Sequence, residues 1–296
     1  MTDPVVITAV PTAFSADGSL DVAATTRIVE HALDGGVDGV FVNGTTGEFT
    51  ALDRDERRAV VHAAVAAAGA ERVVAHVGAA SPYEVGLLAR DARAAGVARF
   101  SVLTPFYLPA TFVGVSQQIT AVDKQPGDEV YLYLFPDRTG IHLSPAQAAR
   151  LIEEFDLTGA KVSIAGTDYV RELAGLVSGG RRILSGNDGL IREVARDGGH
   201  GVVSGVSSAV PRPFVAQAAA LRRGDATEAD RLAPVVETVV RLLGPSIAAL
   251  KLALVEQGVI DSAACRMAID APDPRTADEI RRTLAEAPPE ALAPRH

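Results

Sequence analysis

The chain has no tryptophan, a single cysteine and two methionines among its 296 residues, and aromatic side chains make up 5% of it. One cysteine cannot close an internal disulfide, and it excludes a structural zinc site built from several thiolates. Cys265 itself sits in Ala-Ala-Cys-Arg-Met and reads as a packed thiol rather than a nucleophile. Positive charge is also in deficit, with 28 Lys+Arg against 37 Asp+Glu, a net charge of -9 and a pI of about 5.2. That balance argues against binding the phosphate backbone of a nucleic acid. The N-terminal residues carry neither the basic nor the long apolar region of a secretion signal, and no later apolar run reaches membrane-spanning length without interruption. A cytoplasmic protein with no nucleic-acid and no membrane partner is expected.

Lysine is the scarcest charged residue, present only as Lys124, Lys161 and Lys251, while arginine supplies the remaining cations. Lys161 stands out because it lies inside Leu-Thr-Gly-Ala-Lys-Val-Ser-Ile-Ala-Gly, a stretch that otherwise reads as a buried strand. A guanidinium stays protonated, whereas a desolvated ammonium can lose its proton and act as a nucleophilic amine. The alternative is a lysine at a strand end that snorkels to water. Lys251, on a helical run over 247–255, reads as a helix-surface or packing residue.

What is abundant is hydrophobic sequence, 48% of the chain, arranged in a repeating order. Short β-branched runs at 5–10, 37–43, 72–78, 99–104, 129–135, around Lys161, at 181–185 and at 200–204 read as strands. Helical periodicity falls between them at 22–33, 53–68, from Ser81-Pro82, 112–122, 144–154, 168–177, near 190–196 and near 213–221. Glu84 suits a capping box with Ser81. Eight strand-helix units predict an α/β fold, a (β/α)8 TIM barrel occupying 1–223. Helical patterns at 228–242, 246–256 and 275–284 predict a C-terminal helical extension over 224–296, packed on the barrel. No linker or low-complexity segment interrupts the chain, apart from a Pro/Ala-rich tail after Ala285 that is expected to be loose.

Active sites of such barrels lie at the C-terminal strand ends. Polar residues gather at those ends: Thr45 and Thr46, Thr104 and Tyr107, Tyr133 and Arg138, Lys161, and the Gly-Asn-Asp run at 186–188. The Gly-Thr-Thr-Gly-Glu run at 44–48 offers hydroxyls and backbone N–H groups for an anion, or is simply a tight turn with Thr46 as a helix cap. Tyr131 and Tyr133 share one strand face, so either is a packed ring or a proton relay beside an amine. Arg138 pairs with Asp137, faces solvent, or clamps a carboxylate in bidentate fashion. Gly186, Gly189, Gly201 and Gly205 occupy the common phosphate position of these barrels, which leaves a phosphorylated substrate open. The histidines His31, His62, His76, His142, His200 and His296 show no close ligand spacing, so no metal is expected.

Taken together, Gly-Thr-Thr-Gly-Glu at 44–48, Thr-Pro-Phe-Tyr at 104–107, Tyr-Leu-Phe-Pro-Asp-Arg-Thr-Gly at 133–140, Gly-Ala-Lys at 159–161 and Leu-Ser-Gly-Asn-Asp at 184–188 carry a resemblance. In these motifs the chain resembles the dihydrodipicolinate synthase / N-acetylneuraminate lyase family of pyruvate-dependent class I aldolases, over nearly its whole length. The resemblance implies that Lys161 forms a Schiff base with pyruvate or a related 2-oxo acid, with no cofactor beyond the covalent lysine-pyruvate imine. It implies Tyr133 as proton relay with Thr46 beside it, Thr45 and Thr46 as carboxylate binders, and Arg138 as the arginine for the second substrate's carboxylate. Gly186 is expected to line the same site, and Val203 to place its carbonyl near the reacting centre. Tyr107 resembles a tyrosine that enters the neighbouring subunit's site, so a homodimer or a homotetramer is implied.

Departures from the family pattern bear on substrate. Leu134 stands where many relatives carry asparagine, and Val162 where an acidic residue is common. Phe49, Thr50, Ala80 and Phe106 alter positions of a lysine feedback site, so lysine inhibition is not expected. The implied reaction is 4-hydroxy-tetrahydrodipicolinate synthase-like condensation of pyruvate with the aldehyde L-aspartate-4-semialdehyde. Alternatives are a 2-keto-3-deoxy-sugar-acid or 4-hydroxy-2-oxoglutarate aldolase or dehydratase, and a catalytically silent barrel that binds a 2-oxo acid.

Overall fold

Residues 3–286 are described in a computed structural model of the chain. The repeating unit begins with strand β1 (Val5–Ala9) and helix α1 (Val22–Asp34), then β2 (Gly39–Val42) and α2 (Arg54–Ala68), and β3 (Val73–His76) and α3 (Pro82–Ala94). It continues through β4 (Arg99–Leu103) and α4 (Phe112–Thr120), and β5 (Glu129–Leu134) followed by a one-turn helix α5 (Pro136–Thr139) and α6 (Pro145–Glu154). Next come β6 (Gly159–Val162) and α7 (Asp168–Leu176), β7 (Arg182–Ser185) and α8 (Ile191–Arg196), and β8 (Gly201–Ser204) and α9 (Arg212–Arg222). Each strand pairs in parallel with the next, and β8 pairs with β1, which closes an eight-stranded barrel.

Strands buried on both faces need apolar side chains in and out, which is why they read as runs rather than alternations. Their outward residues, such as Val40, Phe100, Leu132 and Ile183, pack under the helices. The inward set, including Phe41, Val74, Leu103, Tyr133, Leu184 and Val203, fills the barrel interior. Close approach of β6 to β7 requires Gly159, where an added Cβ would fall 1.8 Å from the Arg182 carbonyl oxygen.

Helix starts follow local chemistry. Asp53 accepts from the Glu56 N–H, and Glu56 accepts in return from the Asp53 N–H, a complete capping box for α2; Ser144 and Gln147 repeat it on α6. Ser81 accepts from the Glu84 N–H, so only that half of the expected box forms on α3. Most strands are shorter than the sequence patterns indicate, and at two of them the cause is local. Asn43 turns to a φ of 57°, which ends β2, and Pro136 stops β5 and opens α5, a helix absent from the periodicity.

After α9 the chain turns at Gly224 and adds α10 (Ala226–Leu243), α11 (Ile247–Glu256) and α12 (Pro274–Glu286). The tail after Ala285 is helical through Glu286, and residues 287–296 lie outside the described residues. No single helix among the described residues is long and apolar enough to cross a membrane.

The extension is fastened to the barrel through Arg266, whose guanidinium grips both oxygens of Glu56 at 2.6 and 2.7 Å and also donates to the Gly18 carbonyl. Those side-chain bonds hold the Glu56 carboxyl below its ordinary value, against an opposing effect of burial. A depressed folded-state pKa contributes stability that is present at neutral pH and is lost as the pH falls through that depressed value. Arg266→Met should therefore melt at a lower temperature than the parent at pH 7, with the gap narrowing as the pH is lowered through the carboxylate range. Thermal unfolding followed by circular dichroism checks this, and a gap independent of pH contradicts it.

Candidate active site

At the C-terminal ends of the strands a cavity of about 740 Å³ is lined by Thr45, Thr46, Tyr133, Arg138, Lys161, Gly186 and Val203, with residues of the extension closing one side. Lys161 points inward from β6 and is 5% exposed. It is not a frayed strand end: register places it beside Tyr133 of β5 and Leu184 of β7. Its amine lies 4.1 Å from the centre of the Tyr133 ring and 4.3 Å from that of Phe41. Among the described residues it makes no ion pair. The amine is thus left free of a carboxylate that would occupy it.

The neighbours that the sequence made suspect turn out to face elsewhere. Strand alternation sends Val162 and Leu134 outward into the layer between sheet and helices, where both are buried among apolar side chains. Neither touches the interior that holds Lys161, so their departures from the family pattern do not alter the lysine's surroundings. Tyr131 and Tyr133 do share one face, but Tyr131 sits lower in the barrel, donates to Glu129 at 3.2 Å and lines no part of the cavity. Burial pushes the Tyr131 phenol up to about 12. Tyr133 is the ring at the amine, boxed edge-on by Phe41 and His76 and stacked on Phe135. His76 is fully buried, and desolvation, reinforced by the nearby Arg57 and Lys161 charges, holds it well below its ordinary value.

Thr45, rather than Thr46, is the hydroxyl beside Tyr133, with Oγ1 and Oη 3.4 Å apart. This corrects the expected pairing of Thr46 with Tyr133. Thr46 instead lies toward Gly205, where an added Cβ would stand 3.3 Å from its hydroxyl. Nor does Thr46 cap a helix, since Asp53 caps α2. The turn is tight because Gly44 rides directly over Phe41: a Cβ at Gly44 would come within 2.5 Å of that ring.

Arg138 stands on the one-turn helix α5, exposed at the cavity wall, with its guanidinium carbon 5.7 Å from the centre of the Phe135 ring. It forms no salt bridge with Asp137 or any other carboxylate among the described residues, so its donors face the cavity unneutralised. Gly186 is in the wall, but its N–H already donates to the Val162 carbonyl at 2.8 Å. Nearby Asp188 accepts from Ser204 and from the Val206 N–H, and burial raises its carboxyl above the ordinary value. An acidic side chain here opposes the phosphate reading of this glycine-rich corner. Val203 lines the floor from β8. Tyr107 does not line the cavity; it is 92% exposed, with a φ of 74°.

Sequence reasoning missed two groups. Lys251 is neither on a helix surface nor in plain apolar packing: it is fully buried and forms an ion pair with Glu48 at 2.6 Å. Nothing local could reveal this, because the partners are 203 residues apart. Ser163, in contrast, lies two residues beyond Lys161 and lines the same cavity, so strand alternation pointed to it. Cys265 is half-buried and burial raises its thiol, in line with a packed role. No group of three His, Cys, Asp or Glu among the described residues is arranged to hold a metal ion.

Comparison with known proteins places this geometry. The sequence profile of the dihydrodipicolinate synthetase family matches residues 4–287. A 4-hydroxy-tetrahydrodipicolinate synthase from Xanthomonas campestris pv. campestris is 36% identical over 210 residues, which cover 71% of this chain and 70% of the relative. The crystal structure of dihydrodipicolinate synthase from Thermotoga maritima superposes with a TM-score of 0.89 at 26% identity, covering 98% of this chain and 99% of that one. YagE from E. coli K12, a prophage protein of the dihydrodipicolinic acid synthase family solved in complex with pyruvate, gives a TM-score of 0.87 at 26% identity, covering 96% and 98%. The match spans the barrel, the lysine strand and the C-terminal helices alike, and on that ground the chain belongs to the dihydrodipicolinate synthetase family and is an enzyme of its lyase and synthase kind.

Proposed function

We propose that the chain condenses pyruvate with L-aspartate-4-semialdehyde through a Schiff base on Lys161, as a 4-hydroxy-tetrahydrodipicolinate synthase does. The observation that carries the proposal is a buried lysine amine with no direct ion pair among the described residues, set against the ring of Tyr133, whose hydroxyl is next to Thr45. The amine attacks C2 of the 2-oxo acid, the carbinolamine loses water, and the resulting iminium accepts the electron pair released when a C3 proton leaves. The enamine carbon then attacks the aldehyde, which regenerates the iminium; the α-amino group of the former semialdehyde adds to its C2 and displaces the Lys161 amine, which closes the ring and frees the lysine. Tyr133, in contact with Thr45, moves protons at the carbinolamine and at the new alkoxide. The hydroxyls and N–H groups of Thr45 and Thr46 hold the 2-oxo acid carboxylate, and Arg138 takes the carboxylate of the aldehyde by a two-pronged hydrogen bond. No cofactor enters this chemistry, because the iminium itself is the electron sink.

A second reading, cleavage of a 2-keto-3-deoxy sugar acid, draws on Ser163, Asn187 and Asp188 along the far wall, which suit the hydroxyls of a polyhydroxylated tail. Turnover with each substrate separates the two. The exposure of Tyr107 and Leu108 supports a homodimer or homotetramer in which Tyr107 serves a neighbouring copy's site.

Incubation with pyruvate and sodium borohydride should add one reduced pyruvate to Lys161, found by intact mass and peptide mapping, and Lys161→Arg should take up none. A folded parent protein that gains no mass overturns the reading. Tyr133→Phe should lower kcat by about 10²-fold or more while still allowing slow trapping, the loss typical of a missing proton relay. Arg138→Ala should raise KM for the semialdehyde by about tenfold or more and move the pyruvate KM much less, reflecting one lost charge-assisted contact.

A further inference from the structure

Beyond the residues that meet substrate, the turn at 44–48 has a rear support that the mechanism above does not use. Glu48 closes this turn in the left-handed region, at a φ of 52°, with its N–H donating to the Thr45 carbonyl at 3.0 Å. Its side chain is fully buried and points away from the cavity, where both carboxylate oxygens are taken. Oε1 accepts from Lys251 Nζ at 2.6 Å, and Oε2 accepts from the backbone N–H groups of Arg266 and Met267 at 2.8 Å each. Lys251 donates a second proton to the Ala264 carbonyl at 2.7 Å, and its ammonium lies 4.4 Å from the centre of the Phe14 ring. From the other side, Thr12, just past the end of the first strand, donates to the Gly47 carbonyl at 2.8 Å. The turn is thus clamped between the chain that follows the first strand and the extension.

Helix α11 joins the two functions in adjacent residues: Leu250 lines the cavity, while Lys251 grips Glu48. A left-handed conformation is uncommon for a residue with a Cβ and persists where its surroundings over-determine it. Here the surroundings include the three hydrogen bonds that Lys251 and the Arg266 and Met267 N–H groups donate to the Glu48 carboxylate.

We infer that Glu48 and Lys251 form a positioning pair through which the C-terminal extension sets the geometry of the Thr45–Thr46 turn, and so the affinity of the site for its 2-oxo acid. The inference rests on the Schiff-base reading of Lys161. Neither residue touches substrate; they act through the two threonines. Moving a hydroxyl or N–H by a fraction of an ångström weakens its hydrogen bond to a carboxylate steeply, whereas the amine on β6 is held by strand register and is untouched.

The test measures borohydride trapping on Lys161 as a function of pyruvate concentration in the full-length protein. Glu48→Gln keeps the shape but replaces one accepting oxygen by an amide NH2, which cannot accept from the Arg266 and Met267 N–H groups. Its half-saturating pyruvate concentration should rise by about tenfold or more, the scale of a hydrogen bond to a charged group, while the trapping rate at saturation stays within about threefold of the parent. Lys251→Met should act in the same direction, and Glu48→Asp should recover less than the parent affinity but more than Glu48→Gln. Arg266→Met is the control, since it loosens the same corner through Glu56 but leaves the Glu48 bonds, which are to its backbone. It should lower the melting temperature and leave half-saturation unchanged.

Folded Glu48→Gln with parental half-saturation overturns the inference, as does an equal rise in Arg266→Met, which would make the effect one of general stability. If Lys251→Met does not fold, Glu48→Gln with its control decides alone. Absence of trapping in the parent protein removes the Schiff-base reading and this inference with it, an outcome distinct from variants that behave like the parent.

Discussion

A carboxylate and an ammonium buried together out of reach of solvent, Glu48 and Lys251, hold the two halves of the architecture in register. One belongs to the turn after β2 and the other to a helix added after the barrel is complete. Breaking a buried pair from one side costs about 3–5 kcal/mol, because the remaining charge is left without water or partner. Whole domains are stable by only about 5–15 kcal/mol, so removing either partner alone is a large change on that scale. Arg266 reaches Glu56, Gly18 and Ala51 with its side chain, but its contribution to the turn comes only from its backbone N–H.

The chain buries two of its three lysines, and the contrast between them separates structure from chemistry. Lys251 has an ion pair, a carbonyl and an aromatic face, so its ammonium is fully accounted for by its surroundings. Lys161 has two aromatic faces and no carboxylate. Cation–π attraction of about 2 kcal/mol does not offset the several kcal/mol needed to desolvate an ion, so nothing in packing alone explains a lysine at that position. An uncompensated local cost of this kind, in the wall of a cavity, makes Lys161 a candidate functional group.

The barrel was legible because its signals are local: apolar runs of strand length, helical periodicity between them, a helix cap at Ser81, and a count of eight. Lys161 was legible for the same reason, as a charged residue in an apolar run. Alternation along β6 also contained the fact that Val162 faces away from the site, and family comparison drew attention to the residue where parity would have dismissed it. The Thr45–Thr46 assignment was not legible. Adjacent hydroxyls in a turn point in directions set by each residue's backbone angles, and the left-handed Glu48 that shapes this turn is held by a residue 203 positions later. Helix α5 escaped because a single turn of four residues has no period to detect.

The same separation of rigid and variable parts governs how such a site changes substrate. Lys161 and Tyr133 are fixed by barrel register, with Leu103, Tyr133, Lys161 and Leu184 on successive strands in one layer. Other side chains of the cavity wall stand outside the barrel strands: Arg138 on the one-turn α5, Ser163 and Asn187 on loops, and Val240, Pro245, Ile247 and Leu250 from the extension. Exchanging those side chains leaves the layer of the amine intact, because β5 and β6 are joined through their backbones, including the Ser163 N–H that donates to the Leu134 carbonyl. Glu48 and Lys251 sit at the boundary. They belong to neither set, yet they join the extension that lines one side of the cavity to the turn that carries Thr45 and Thr46.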